Sequence, residues 1–465
     1  MKKISIFLAV LALSAVTSCE KFFALTPDTE VAVDNMYKSA KDFDIAVKGC
    51  YAKLQGQVSY YTELCEYRSD NMRLTAPTAG TQDRYDIDQF KDNASNGILE
   101  DAWANFNNGV YRCNMVLDRI DAADFDAELK KQYKAEAMFI RAFTYFNMYR
   151  IWGGVPTTRK VVSVEEALKV GRSSDAEMYT FIAGDLEEII NNNMLPATYA
   201  AADMGRITLG AAKALLAKVY LTFGKNQEAA TLLSGMVGDG TYELLGNIAD
   251  VFDVNNKDNK EIIFAVKFNK TVVGEGHGAW FSVANLSDDS GRTPILNALY
   301  DDADARKAMI AYKKVEGVNT YLMNKFYDAI DATNKTYGND QIILRYADVL
   351  LMYAEALNNV SYSSDQNSEQ MKALNAVHTR AGLTPLDITT IPNQDAFRRA
   401  VCKERQMEFP YEGHRWYDVV RMGYAQEFAL AEGHDIQTYQ FVYPIPNTEL
   451  ERINNTSLLW QNPNY

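Results

Sequence analysis

The chain has 465 residues, enough for two or three ordinary domains or for one large repeat array. Its composition is that of a globular protein, with 47% hydrophobic residues, 23% charged residues and a formal net charge of −14. Binding to nucleic acid needs a basic patch, so this negative balance argues against a nucleic-acid partner and against direct adhesion to anionic lipid.

The N-terminus has the pattern of a lipoprotein signal peptide. A pair of lysines precedes an apolar run over residues 4–16, and Cys19 follows two small residues. The apolar run is too short to span a bilayer stably. A plain signal peptide needs no cysteine here, whereas a lipoprotein signal needs a thiol that takes up the lipid. We therefore predict removal of residues 1–18, attachment to the membrane through acyl chains on Cys19 alone, and a tether over 19–34.

The other four cysteines are widely spaced and form no CxxC motif. This spacing is typical of small buried apolar residues rather than of a disulfide framework or a zinc site. A chain of this length needs no disulfide staples. The four residues are Cys50, Cys65, Cys113 and Cys402.

The first helix is predicted from about Asn35 to Gln55, because apolar residues recur there on one stripe. Residues 56–98 are polar and contain Pro77, several glycines and many Asp, Asn and Thr. A loop of that length in a compact domain is usually functional. We therefore predict a long functional loop, followed by a helix over about 99–122.

Four helical pairs are predicted downstream, each joined by a short break. In the second pair, small and large residues alternate, which lets one helix nest against its partner as in tetratricopeptide repeats. No strict 34-residue period is present, so a generic all-α array is the alternative. The predicted pairs are 129–152 with 175–193, 207–223 with 227–237, 341–358 with 368–381, and 395–409 with 413–422.

A mixed, loop-rich insertion over 239–340 separates the second pair from the third. It contains strand-like runs at Glu261–Phe268 and Tyr321–Tyr327, with glycine-rich turns between them. The predicted fold class is therefore mainly α, a tetratricopeptide-like array of helical pairs with an insertion that carries short strands. We place an N-terminal helical region at 35–238 and a C-terminal region at 239–465.

The block from Glu404 to Gly423 interleaves acids and arginines with aromatic residues. One helix should end near Phe409, since Pro410 disfavours helical geometry in the residue before it. A second helix should begin near Gly413 and carry Arg415, Asp418 and Arg421 at a spacing that allows ion pairs. We interpret the block as a helical hairpin held by a partly buried ion network.

This block resembles the C-terminal signature of the SusD/RagB family, the surface nutrient-binding lipoproteins of Bacteroidetes-type bacteria. The match is carried by acidic, basic and aromatic residues at Glu404, Arg405, Glu408, Glu412, Gly413, Arg415, Trp416, Asp418 and Arg421. Further blocks resemble the same family in the right order. They are Ala135–Pro156, Pro294–Arg306, Ile343–Asn358 and the tail Tyr443–Tyr465.

The resemblance implies four tetratricopeptide-like pairs that support a mixed region bearing the ligand surface. It also implies a lipoprotein of the outer membrane, exposed at the cell surface, that sits on a SusC-like TonB-dependent transporter. Such a protein captures a nutrient, usually a glycan, and closes over the transporter like a lid. The chain is somewhat short in the loops that shape specificity, so glycan and peptide ligands both stay open.

Two buried arginines are expected in the family-like helices. Arg141 and Arg345 lie in strongly apolar segments, so their burial requires carboxylate partners. Candidate partners are Glu136, Asp348 and Glu355.

Catalytic motifs are scarce. The four histidines show no HExxH spacing, and the chain contains no GxSxG elbow. The acids at 301–304 lack the spacing of a calcium loop and are typical of a capped helix start. We therefore predict no catalytic residue, no metal and no cofactor. Glycoside hydrolysis needs only two carboxylates, so a tethered hydrolase is one alternative, and a protein-binding scaffold without a small ligand is the other.

Sugars stack on aromatic faces while acids, amides and arginines bind their hydroxyls, so we look for aromatic residues in loops. Two stretches meet this condition. Trp280 is the strongest single candidate, although an anchoring role for it in the core has equal weight. The first stretch contains Tyr60, Tyr61, Tyr67, Asp70, Asn71, Arg73, Arg84 and Tyr85, and the second contains Trp280, Phe281, Asn285 and Arg292.

Overall fold

The computed structural model describes residues 36–74, 76–77, 80–278, 293–318 and 320–465. The predicted signal peptide and tether, including Cys19, lie outside these residues. The helices of the N-terminal region are α1 (Ala40–Glu66), α2 (Gln82–Asp88), α3 (Gly97–Ile120), α4 (Ala127–Trp152), α5 (Val164–Ala167), α6 (Asp175–Asn191), α7 (Leu209–Thr222) and α8 (Asn226–Ser234).

The insertion is built from short elements and the C-terminal region from helices. The insertion contains α9 (Ile248–Val251), β1 (Ile262–Val266), α10 (Pro294–Ala298), α11 (Arg306–Met309), β2 (Tyr312–Lys314), β3 (Tyr321–Met323) and β4 (Gln341–Arg345). The C-terminal region contains α12 (Tyr346–Val360), α13 (Glu369–Arg380), α14 (Gln394–Glu408), α15 (Arg415–Met422), α16 (Ala425–Ala431) and α17 (Asn447–Ile453).

The fold is mainly helical, as predicted, and its long helices form one continuous array. Helix α1 packs on α3 and α4, α4 packs on α6, and α6, α7 and α8 follow in order. Helix α8 then packs on α12, which also contacts α13 and α14. The insertion therefore leaves the array after α8 and returns to it at the neighbouring helix.

Side-chain caps fix where several of these helices begin. Ser39 and Asp42 form a capping box at the start of α1, and Ser174 and Glu177 form one at the start of α6. Each box satisfies backbone N–H groups that have no partner within the helix. Asp126 caps α4 by accepting a hydrogen bond from the N–H of Leu129 at 2.8 Å.

The helical pairs lie where the sequence predicts them, with one correction. Residues 341–345 form strand β4 rather than the first turn of a helix. This strand pairs antiparallel with β1, with Val266 opposite Gln341 and Ala265 opposite Ile342. The β-branched residues of both segments favour this pairing, and all of β4 is buried. A second small sheet pairs β2 with β3.

The prediction of a loop over residues 56–98 is wrong for two segments, which are helical in the structure. Helix α1 continues to Glu66, and α2 occupies 82–88. The apolar stripe of α1 runs on through Leu54, Val58, Tyr61 and Cys65, at spacings of three and four residues. Polar residues between these positions conceal the period in the sequence.

One large hydrophobic core runs from Phe43 in α1 to Leu459 near the C-terminus. The four cysteines of the described chain are buried as free thiols, which confirms their interpretation as apolar core residues. Within the described ranges, no helix combines the length and apolar character that crossing a membrane requires.

The C-terminal block is the centre of a buried ion network. The carboxylate of Glu408 accepts hydrogen bonds from Arg345 at 2.5 Å, from Arg306 at 3.3 Å and from Arg380. Burial alone would raise the pKa of Glu408, but the charges of the three arginines outweigh it and lower that pKa. Arg345 also binds Glu412 at 2.8 Å.

The predicted carboxylate partners of the buried arginines are wrong. Arg141 pairs with Asp185 on α6 at 2.8 Å, and Arg345 pairs with Glu261, Glu408 and Glu412. The three predicted acids bind other cations instead. Those pairs are Glu136 with Arg206, Asp348 with Lys218 and Arg405, and Glu355 with Arg421.

Replacing Arg345 with methionine should destabilise the protein by about 3–5 kcal/mol, because buried carboxylates lose their cation. The matched control is Arg399→Met, since the side chain of Arg399 is 46% exposed and pairs with Asp395 and Glu427 at the surface. The control should change stability by less than ~1 kcal/mol. Urea unfolding of both variants measures the difference, and equal effects would show that the buried network is not needed.

Candidate functional site

Five side chains at the C-terminal end of α1 and on α2 make up a polar and aromatic surface, which we call the tyrosine face. It consists of Tyr60 and Glu63 on α1, Tyr67 directly after α1, and Arg84 and Tyr85 on α2. Positions 60, 63 and 67 follow helical spacing and therefore lie on one side of α1. Four of the five side chains are half-buried, and Tyr67 is buried.

An ion pair joins the two helices at this face. The guanidinium of Arg84 donates to both carboxylate oxygens of Glu63, at 3.0 and 3.2 Å. Burial, together with the negative charges of Asp101 and Glu63, raises the pKa of Tyr60. The phenol therefore keeps its proton and can donate a hydrogen bond. The face thus offers aromatic rings beside charged donors and acceptors, which is the set of groups that binds sugar hydroxyls.

Three of the predicted binding residues are interior residues, and we correct their assignment. Tyr61 is 2% exposed and contacts the ring of Phe143 in an edge-on geometry at 5.9 Å. Asp70 is buried and accepts hydrogen bonds from Arg415 at 2.6 and 2.8 Å. The amide of Asn71 donates to Glu66 at 3.0 Å. Their polar groups are occupied by internal partners, since a buried polar group needs such partners.

Arg73 is half-buried and lines a cavity of 20 Å³ together with Asp88, Trp416 and Glu432. Ligand pockets are more than tenfold larger, at about 300–1,000 Å³, so this cavity does not admit a sugar ring. Arg73 therefore belongs to the contact between α2 and the C-terminal helices.

Trp280, Phe281, Asn285 and Arg292 lie outside the described residues, and their assignment stays a prediction. The described residues before them are held by two hydrogen bonds between the backbones of His277 and Tyr337, both at 3.0 Å. After them, Thr293 donates its hydroxyl to the carbonyl of Asp70 at 2.5 Å and its N–H to that of Asn71 at 3.1 Å.

Thr293 therefore brings the residue that follows the second predicted stretch against the middle of the first. Asp70 and Asn71 lie three and four residues after Tyr67, in the turn that follows α1, so Thr293 is anchored close in sequence to the tyrosine face. The sequence predicts two separate aromatic stretches. The structure places the boundary of one beside the other.

Sequence reasoning missed Glu63 and Asp101. Glu63 stands three residues after Tyr60, a spacing that has meaning only if the segment is helical. Because residues 56–98 were expected to form a loop, this signal was not used. Asp101 lies on α3, and its nearness to Tyr60 follows from the packing of α3 on α1.

Two of the three acids at 301–304 form salt bridges with basic side chains of this chain. Asp304 is buried and binds Arg306 at 2.9 Å, and Asp302 binds Lys307 at 2.6 Å. Over the described ranges, no group of three or more His, Cys, Asp or Glu side chains is arranged to hold a metal ion.

Two family models match the chain. One is described as the SusD family and matches residues 313–465, and the other, described as starch-binding associating with outer membrane, matches residues 21–221. The chain belongs to the SusD/RagB family. The sequence resemblance is thereby confirmed across both the helical region and the C-terminal block of this SusD-family protein.

Similar proteins carry the same family name. The SusD-like protein P25 of Formosa agariphila is 26% identical over 97% of this chain and 97% of its own length. A SusD-like protein of Bacteroides ovatus is 26% identical over 71% of this chain and 67% of its own.

Solved structures share the SusD-like fold. A laminarin-binding SusD-like protein is 26% identical, with a TM-score of 0.76 over 92% of this chain and 100% of that one. A SusD-like protein of Bacteroides fragilis is 23% identical, with a TM-score of 0.78 over 95% and 100% of the two chains. The surface glycan-binding protein A of Bacteroides thetaiotaomicron, in complex with laminarihexaose, is 21% identical, with a TM-score of 0.73 over 91% and 99%.

Asp88, at the end of α2, predicts a pH dependence of stability in this SusD-family protein. Burial raises the pKa of Asp88 to about 7, against hydrogen bonds from Gln89 and the N–H of Leu74 that lower it. The native state therefore holds the proton more tightly than the unfolded chain. Relative to Asp88→Asn, the free energy of unfolding of the wild type should fall as pH rises from about 4 to 7, by up to ~1.4 kcal/mol per pH unit.

Urea unfolding of both proteins across this range measures the effect. The comparison cancels every other titrating group, since only position 88 differs. A stability difference that does not change with pH would contradict the prediction.

Proposed function

We propose that the chain is a cell-surface lipoprotein of the outer membrane that binds a glycan and delivers it to a SusC-like TonB-dependent transporter. In this proposal it covers the transporter as a lid. The observation that carries the proposal is the set of aromatic and charged side chains at the tyrosine face, where the Arg84–Glu63 pair lies beside Tyr60. Thr293, the residue after the stretch that contains Trp280, is hydrogen-bonded to Asp70 in the turn after α1, and we propose that both stretches contribute to one binding surface.

Three findings support a glycan as the ligand. Proteins of similar structure include a laminarin-binding SusD-like protein and a surface glycan-binding protein in complex with laminarihexaose. One matching family model is described as starch-binding. The tyrosine face itself joins aromatic rings to an Arg84–Glu63 pair that can accept and donate hydrogen bonds.

We assign binding rather than catalysis to this surface. Glycoside hydrolysis needs two carboxyl groups that are free to exchange protons and lie about 5–10 Å apart. At the tyrosine face, the carboxylate of Glu63 accepts hydrogen bonds from two nitrogens of Arg84, so both of its oxygens are already engaged. A held carboxylate of this kind suits the recognition of a hydroxyl.

The membrane location follows from the N-terminal pattern and from the family. The lipoprotein signal ending at Cys19 supplies the anchor, and the matching family model is described as associating with the outer membrane. A lipid-anchored receptor reaches a membrane transporter by diffusion in the same plane.

Removing aromatic rings should weaken glycan binding without unfolding the protein. We expect Trp280→Ala, and the double variant Tyr60→Ala, Tyr85→Ala, each to bind laminarihexaose at least about tenfold more weakly, a loss of ~1.4 kcal/mol. The control is Tyr111→Ala, because Tyr111 is 49% exposed on α3, outside the tyrosine face. Isothermal titration calorimetry measures the affinities, and thermal melts check folding.

Unchanged affinity in either test variant would remove the substituted residues from the site. Maltohexaose and a mixed peptide library serve as parallel ligands. Binding of peptides alone would replace the glycan by a peptide within the same transporter role.

The transporter partner is tested separately. Affinity purification of the full-length, tagged protein from detergent-solubilised outer membranes should recover a large β-barrel in comparable amounts. The Cys19→Ser variant should lose membrane attachment and recover less of the barrel. Recovery of no barrel with the wild type would reject the lid role and favour a scaffold.

A further inference from the structure

A groove on another side of α1 lies between this helix, residues 197–206 and strand β1. It consists of two adjoining pockets, of 370 Å³ beside α1 and 210 Å³ beside Tyr199 and Tyr242. Both pockets are lined by Met204, Gly205, Arg206, Ala265 and Lys267. We call this pair of pockets the Met204 groove. The larger pocket falls in the size range of small-molecule sites.

The roof of the groove is held in place by packing and charge. Gly205 adopts a φ of +93°, and a Cβ atom there would lie 2.7 Å from the Cε of Lys267. The backbone therefore rests directly on the lysine side chain. Arg206 binds Glu136 and Asp203, both at 3.0 Å, and also Asp44. These contacts hold Gly205 and Arg206 in place at the edge of both pockets.

Met204 exposes apolar surface at this roof. Its side chain is 48% exposed, although the neighbouring residues Tyr51 and Tyr242 pack against the core. A methionine side chain is flexible and polarisable and adapts to the outline of a ligand. Met204 thus offers an adaptable apolar contact to a ligand in the groove.

The walls carry both signs of charge and both kinds of hydrogen-bonding group. Lys267 binds Asp258 at 2.6 Å and Asp340 at 3.0 Å. Gln55 donates to Glu275 at 3.1 Å and to the carbonyl of Lys267 at 2.8 Å. A strongly charged ligand would be repelled by the groups of like charge. An acyl chain would desolvate these polar groups without forming hydrogen bonds to them, which is costly. A neutral molecule rich in hydroxyl groups can hydrogen-bond to both the donors and the acceptors of the walls.

The groove is separate from the tyrosine face. Tyr51, which lines the groove, precedes Tyr60 by nine residues, or two and a half turns of α1. Their side chains therefore leave opposite sides of the helix, about 14 Å apart along its axis. A ligand at one surface does not occupy the other.

We propose that the Met204 groove is a second saccharide-binding site, which takes a neutral sugar fragment of one or two rings. The proposal rests on the glycan-binding function proposed above. It adds an enclosed site for a short fragment to an open face for a longer chain.

The probe is the disaccharide laminaribiose, titrated by calorimetry and by saturation-transfer NMR at millimolar concentrations. Met204→Trp fills the groove with an indole ring and should weaken laminaribiose binding at least about tenfold. The control is Val273→Trp, because Val273 is 86% exposed on a turn outside the groove, and this variant should bind as the wild type does. Thermal melts confirm that both variants fold.

The Tyr60→Ala, Tyr85→Ala variant separates this proposal from the proposed function. If it loses laminarihexaose binding and keeps laminaribiose binding, both sites stand. If Met204→Trp binds laminaribiose as the wild type does, or if the wild type binds none, the groove proposal is overturned whatever happens at the tyrosine face. If only Met204→Trp loses binding of either sugar, the groove stands and the tyrosine face falls.

Discussion

A single buried carboxylate, that of Glu408, holds together parts of the chain that are far apart in sequence. Arg306 comes from the insertion, Arg345 from the end of β4, and Arg380 from α13, and all three reach it. Charges in a low-dielectric interior are tolerated only when they are paired, so each of these segments has one acceptable position. The same block reaches back to the turn after α1, where Arg415 binds Asp70.

This constraint also positions the candidate binding surface. Glu66, at the last turn of α1, accepts the backbone N–H of Gly413 at 3.0 Å, and Asp70 accepts Arg415. Residues 60–66, from Tyr60 to the first of these contacts, form one unbroken helix, so this part of the tyrosine face is fixed relative to the C-terminal block. Thr293 donates a hydrogen bond to the carbonyl of Asp70 in the turn after α1 and joins the insertion to that turn. Ion pairs in the interior thereby fix the position of a surface whose own residues are not members of the buried ion network.

The helices and the family were predictable because both depend on local patterns, whereas long-range contacts were not. The spacing of apolar residues and the positions of helix-breaking residues predict the four helical pairs. The interpretation of the block Glu404–Gly423 as a helical hairpin is confirmed. The partners of Arg345 come from Glu261 and from α14, and nothing in a linear sequence ranks them above Asp348. Asp70 was predicted to bind the ligand for the same reason. In a sequence, an acid at the surface cannot be distinguished from an interior acid that pairs with a distant arginine such as Arg415.

The adjacency of α8 and α12 has a further consequence for how such proteins vary. Residues 235–345 leave and rejoin the array at helices that touch, so this segment behaves as an exchangeable cassette with closely spaced ends. Its length and loops can change at little entropic cost to the scaffold. The exchange is restricted at four positions, because Glu261, Arg306, Lys325 and Arg345 complete charge pairs with the C-terminal block or its partners. A graft that keeps these four residues would replace the loops of the insertion while leaving the helical frame intact.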